Sequence, residues 1–345
     1  MTIQHQADAL TAARAQVTAE MREFFDALYH GADTGGLDAA DLALIAARAR
    51  AELLAPDEGA ARVALSQTPR FSLAVAVNDD RPFLFDSAVL AAVAAGAQLR
   101  NVFHPVIEEG GRRRSLIVFV ADPLTNEPAR ERLVSSLEDC FAAGAAAVRD
   151  WRAMTARLKS ARDELAAGGP RGLDIEEDLA FLDWLADDHF TFLGSREYRL
   201  KDDGAHGQLE PVPNSGLGVL ADARARVLDT GGLRENPGLS AEVRAYFDAG
   251  GPLIVTKSSA RAQVHRRVHM DYVGIKIYDG GGRFAGEHRF VGLFTSGAYS
   301  INPREIPLLR RKIAAVTARA GLPPAMTARR WPISSTPSRA TSCSR

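Results

Sequence analysis

The stretch FSLAVAVNDDRPFLFDSAVLAAVAAG, residues 71–96, decides the fold. Its first seven residues alternate, with Leu73, Val75 and Val77 on one side, which is the two-residue period of a strand. NDDRP (78–82) interrupts that pattern, and its acidic residues and Pro82 suit a helix start, where the N–H that proline lacks would have no partner anyway. The remainder predicts an alanine-rich helix that stops at Gly96, in the left-handed position glycine occupies most easily.

Reading outward, NVFHPVI (101–107) and SLIVFVAD (115–122) predict two strands joined by the polar hairpin EEGGRRR (108–114). PARERLVSSLEDCFAAG (128–144) repeats Leu133, Leu137 and Phe141 at four-residue steps, so it predicts a helix, and AAVRDW (146–151) reads as a short fourth strand. The order β-α-β-β-α-β gives an antiparallel sheet with both helices on one face, the ferredoxin-like arrangement. Upstream, Leu10, Ala13, Val17, Met21, Phe24 and Leu28 form one helical stripe that Gly31 ends, and Leu42, Ile45, Ala49 and Leu53 form a second that ends at Pro56. Each of these helices has a single apolar face and must dock on something.

Downstream, RLKSARDELAAGGPRG (157–172) is charged and then rich in glycine and proline, the composition of a linker. DIEEDLAFLDWLADD (174–188) predicts a helix with acids in its first turn. Strands are expected at 189–200, 252–257 and 271–278, the last joined to GRFAGEHRFVGLFT (282–295) through Asp279–Gly280. Asn302-Pro303-Arg304-Glu305 carries a helix-start signature, with Ile306, Leu309, Ile313 and Val316 on one face. The expected class is α+β: N-terminal helices over 1–60, a β-α-β-β-α-β domain over 61–156, a linker over 157–173, a second α+β domain over 174–325 and a tail over 326–345.

Composition narrows the function. In 345 residues, 42 Lys and Arg against 43 Asp and Glu leave a net charge of −1, so no overall field favours nucleic acid or an anionic membrane. Two cysteines, Cys140 and Cys343, make no disulfide framework. The N-terminus lacks the basic-then-apolar order of a signal peptide, and the most apolar stretch, 82–99, holds Asp86 and many small alanines. A cytoplasmic protein without membrane or nucleic-acid partners is expected.

The motifs that invite a chemical reading are weak. Gly216-x-Gly218-x-x-Ala221 has the glycine spacing of a dinucleotide fingerprint, but a proline-containing loop precedes it where a strand is required, so a glycine turn is expected instead. Of the five lysines only Lys257 and Lys276 fall on strands, and both read as surface residues. His265 and His269 are four apart, but the glutamate of a zinc helix is missing and two arginines stand between them. Lys257, Arg261, Arg266 and Arg267 are a candidate patch for an anion or a subunit contact. No catalytic, cofactor or metal residues are expected.

Four stretches carry a family resemblance: NDDRPFLFDS with NVFHPVI, FLDWLADDHFTFLGSREY, LIVTKSSARAQVHRRVHMDYVGIKIYD, and RFVGLFTSGAYSINPREIPLLRRKIAAV. In this order, across most of 71–318, they resemble the N-terminal region of the large bacterial NAD-specific glutamate dehydrogenases. The resemblance implies ACT-like regulatory modules here, a homo-oligomer assembled through them, and an NAD-dependent catalytic domain that would lie beyond residue 345. It also implies a small amino-acid effector at the first strand–helix turn, Asp79, Asp80, Arg81, Pro82 and Phe83, although Phe83 stands where ligand-binding modules usually have glycine. A free-standing ACT-like amino-acid sensor is the alternative. The tail MTARRWPISSTPSRATSCSR (326–345) has no acidic residue and no periodicity. Read one base out of register, Met326–Thr327 would encode aspartate and Trp331–Pro332 alanine, so an out-of-frame tail is expected.

Overall fold

The computed structural model describes residues 3–56, 61–170, 172–202, 207–222 and 250–321. The tail therefore lies outside the described residues. The first sheet contains β1 (Arg62–Gln67), β2 (Ser72–Asp79), β3 (Leu99–Phe103), β4 (Val106–Glu109) and β5 (Arg112–Ala121). Its order is β1-β2-β5-β3, with β4 also paired to β5, and every pairing is antiparallel.

Burial on both faces explains the composition of the central strands. Leu73, Val75 and Val77 of β2, with Leu116, Val118 and Val120 of β5, pack against α1 (Ile3–Gln16), α2 (Arg22–Leu28) and α3 (Ala39–Leu54). The alternate residues, Ala74, Ala76, Ile117 and Phe119, face α4 (Leu84–Ala94) and the long α5 (Glu127–Gly168). Alanine at 74 and 76 leaves room for helix backbones to approach, while the bulkier row faces the N-terminal helices. The result is three layers, helices on sheet on helices.

Several expectations need correcting. AAVRDW (146–151) is not a strand, because α5 runs unbroken for 42 residues. The sheet position beside β2 that it was expected to fill is taken from the other side of the sequence, by β1. The 157–172 stretch is helical through Gly168: Met154, Leu158, Ala161 and Leu165 are buried at four- and three-residue steps, a stripe partly hidden by the charged residues between them. The first N-terminal helix divides at Thr18, which has extended backbone and precedes a short 3-10 turn without a side-chain cap. The last helix, α8 (Leu309–Arg319), begins later than expected, because Pro307 lacks an N–H and restricts Ile306 before it. Asn302 caps only a local turn, accepting from the Arg304 N–H at 3.1 Å.

The second sheet has the order β7-β6-β11-β10-β9, with β8 paired to β6. Its strands are β6 (Phe190–Asp202), β7 (Gly207–Pro211), β8 (Leu217–Gly218), β9 (Leu253–Arg261), β10 (His269–Tyr278) and β11 (Phe284–Phe294). One face, with Val273, Ile275 and Phe290, is covered by the C-terminal half of α5 and by α6 (Glu176–Trp184). Polar contacts fix α5 in register there. Arg157 donates to Ser195 Oγ at 3.0 Å and to the Ser215 carbonyl, His288 Nε2 lies 2.9 Å from Glu164, and Asp150 accepts the Gly218 N–H at 2.8 Å. Burial pulls the Arg157 pKa down. After α6 a kinked turn (Leu185–His189), non-helical at Asp187 and Asp188, leads into β6, and α7 (Ser296–Ser300) follows β11.

Phe141 on α5 is 1 % exposed and packs among Ala88, Phe119 and Leu137. Phe141→Ala is expected to cost about 3–5 kcal/mol in a urea titration.

Candidate functional site

β2 ends opposite β5, and that register sets the charge pattern around the first strand–helix turn. Asp79 accepts from Arg112 Nη2 at 2.6 Å, with Arg114 and Arg81 both 3.8 Å away. Asp80 pairs with Arg113 at 2.9 Å, and its N–H donates to the Arg113 carbonyl. The two acids of the turn are thus met by the three arginines of the EEGGRRR hairpin. The sequence shows the opposite charges of the two segments but not the register that pairs them.

Pro82 and Phe83 are directed elsewhere. Phe83 has φ of +68°, the left-handed region that a bulky side chain rarely enters, and precedes α4 without a side-chain cap. Its ring stacks on His265 with centroids 4.9 Å apart. The His265 N–H donates to Ser87 Oγ at 2.8 Å, one turn into α4. The turn thereby contacts the 262–268 connection between β9 and β10.

That connection belongs to the basic stretch. Lys257 bonds buried Asp271 at 2.6 Å, and Arg266 donates to the Phe294 carbonyl at 2.8 Å with its guanidinium 5.8 Å from the Tyr299 ring. Arg261 and Arg267 are exposed. His265 turns toward Phe83, while His269 Nδ1 lies 3.0 Å from the Ser258 carbonyl, so the two histidines serve separate contacts. Among the described residues no group of three potential ligands could hold a metal ion.

Lys276 departs from expectation, being only 4 % exposed rather than on the surface. Its ammonium donates to the Gly250 carbonyl at 3.3 Å, and in the ladder it stands opposite Glu287. The same sheet face holds a buried polar cluster that was missed from the sequence. Tyr272 O–H donates to Glu287 at 2.5 Å, Arg289 Nε donates to the other Glu287 oxygen at 2.9 Å, and the Arg289 guanidinium sits 3.8 Å from the Tyr198 ring centroid. Burial pushes the Tyr272 pKa well up, so the phenol remains a donor. At Gly274 a Cβ would lie 1.9 Å from Glu287 Oε1, which explains a glycine in mid-strand. That glycine was the available signal. In the strand alternation the polar row looked solvent-facing, whereas both faces of the sheet are buried.

The remaining motifs are structural. Gly216 and Gly218 form a turn around β8, whose antiparallel pairing with β6 is unlike the parallel strand a dinucleotide fingerprint requires. Cys140 is buried, and burial pushes its thiol up to about 12. Between the two sheets lies a cavity of about 410 Å³ that Pro82 and Phe83 line together with α5, the 185–189 turn and β6. No helix among the described residues is long and apolar enough to cross a membrane.

Replacing Arg289 by leucine would leave the Glu287 carboxylate buried without its cation. A loss of about 3–5 kcal/mol in unfolding free energy is expected, measurable by denaturant titration.

No protein-family model matches the chain. The chain is 32 % identical over 270 residues to the NAD-specific glutamate dehydrogenase of Halomonas elongata, an alignment covering 72 % of this chain and 16 % of that enzyme. It is 35 % identical over 148 residues to the NAD-specific glutamate dehydrogenase of Pseudomonas aeruginosa, covering 43 % of this chain and 9 % of that enzyme. The chain is therefore related to NAD-specific glutamate dehydrogenases, and it spans only a small part of their length.

Proposed function

We propose that this chain is the N-terminal, non-catalytic part of a large NAD-specific glutamate dehydrogenase and serves subunit contact and regulation. The full-length enzyme would oxidise L-glutamate to 2-oxoglutarate and ammonium, with NAD taking the hydride in a domain outside this sequence. The observation that carries this reading is the asymmetry of the alignment, 72 % of the chain against 16 % of the Halomonas elongata enzyme. Two antiparallel sheets, with no parallel strand pair among the described residues, fit a module that associates and responds rather than one that transfers hydride.

In this reading Asp79, Asp80, Arg81, Pro82 and Phe83 form the sensing turn. Their carboxylates are already paired with arginines, so an amino-acid effector would have to exchange those ion pairs for its own ammonium. The exposed Arg261 and Arg267 are candidates for a subunit contact. Homo-oligomers would form through the first sheet, whose edge strands among the described residues are β1 on one side and β3 with β4 on the other. The tail over 326–345 would be out of frame, which sequencing the gene across codons 324–326 decides.

The direct test is an activity assay. The purified chain is expected to show no NAD reduction with L-glutamate, and measurable turnover by the unmodified sequence would overturn the reading.

A further inference from the structure

The cavity between the two sheets has three features that belong together. Its volume, about 410 Å³, falls within the range of small-molecule sites. Its walls are mostly apolar, with Phe83 on one side and Trp151, 49 % exposed, on α5. Asp188, an exposed residue, is the one acidic residue that lines it, and no Lys, Arg or His is among the described lining residues.

Backbone strain is concentrated at the same place. Among the described residues five non-glycine positions have positive φ, and three of them, Phe83, Asp188 and His265, lie in this cavity or on its rim. Each such conformation costs on the order of 1 kcal/mol, and such residues cluster at binding sites. Asp188 is in the kinked turn before β6, with φ of +55°, and that turn is held by the Thr295 hydroxyl donating to the Asp188 carbonyl at 3.0 Å. Its carboxylate has no ion pair among the described residues, nor has the Thr191 hydroxyl in the lining a hydrogen-bond partner among them.

We propose that this cavity binds a small organic ammonium ion with an apolar body, the ammonium on Asp188 and the body between Trp151 and Phe83. A cation is attracted both by the carboxylate and by the faces of the aromatic rings. An anion of the same shape would meet the carboxylate and find no lining cation to offset it. The inference does not rest on the kinship with dehydrogenases, because it concerns the chain's own cavity. Failure of binding would leave that kinship standing, and turnover by the chain would not touch this site.

Titration calorimetry on the full chain, with phenethylamine, phenylalanine and 3-phenylpropionate as probes, tests it. Phenethylamine should bind best, phenylalanine more weakly because its carboxylate gains no partner, and 3-phenylpropionate not at all. Asp188→Asn, which keeps a residue tolerant of left-handed backbone, should weaken phenethylamine binding at least tenfold. Trp151→Ala, at a half-exposed position that folding tolerates, should weaken it too. Absence of phenethylamine binding, equal binding of 3-phenylpropionate, tighter binding of phenylalanine, or an Asp188→Asn affinity equal to that of the parent chain would each overturn the proposal.

Discussion

One helix holds this molecule together. α5 is 42 residues long, roughly 60 Å at about 1.5 Å per residue, too long for either sheet alone. Its first half buries Leu133, Leu137 and Phe141 against the first sheet, and its second half buries Leu158, Ala161 and Leu165 against the second. An isolated helix gains little in water, so this length is stabilised by what it covers at both ends. Arg157, Glu164 and Asp150 then fix its rotation against the second sheet through hydrogen bonds that a slipped helix would lose.

The cavity follows from that arrangement. Two sheets sharing a helix approach each other beside it, and the gap between them is edged by the turn before α4, the kinked turn before β6 and α5 itself. Each turn must bend sharply to bring its chain over α5, and each does so with a non-glycine residue in left-handed backbone, Phe83 in one and Asp188 in the other. The Phe83–His265 stack and the Ser87–His265 hydrogen bond bridge the gap directly. A ligand between Trp151 and Phe83 would add to those bridges, so its binding would bear on the relation between the two sheets.

How much of this was legible depended on whether a pattern was local. Strands β2, β5, β10 and β11 announced themselves by apolar alternation or apolar runs, and the α+β class followed from them. The edge strand β1 did not, because RVALSQ is short and only half buried. The second half of α5 was hidden by its charge: RLKSARDELAAG carries five charged residues, and the buried stripe beneath them acquires its meaning only from a sheet far along the sequence. At the site, Asp79 and Asp80 were found but their arginine partners were not, since pairing is a property of the register. Lys276 was named but read as a surface residue, and Glu287 and Arg289 were missed, because alternation marks a row as polar without saying whether another layer covers it. Gly274 was the one local sign that something approached closely there.

Native-state hydrogen exchange under increasing denaturant tests most directly whether α5 makes the two sheets a single cooperative unit. The account predicts that the most protected amides of β2 and β5 and those of β10 and β11 converge on one opening free energy with one denaturant dependence. Two separate plateaus, one for each sheet, would contradict it.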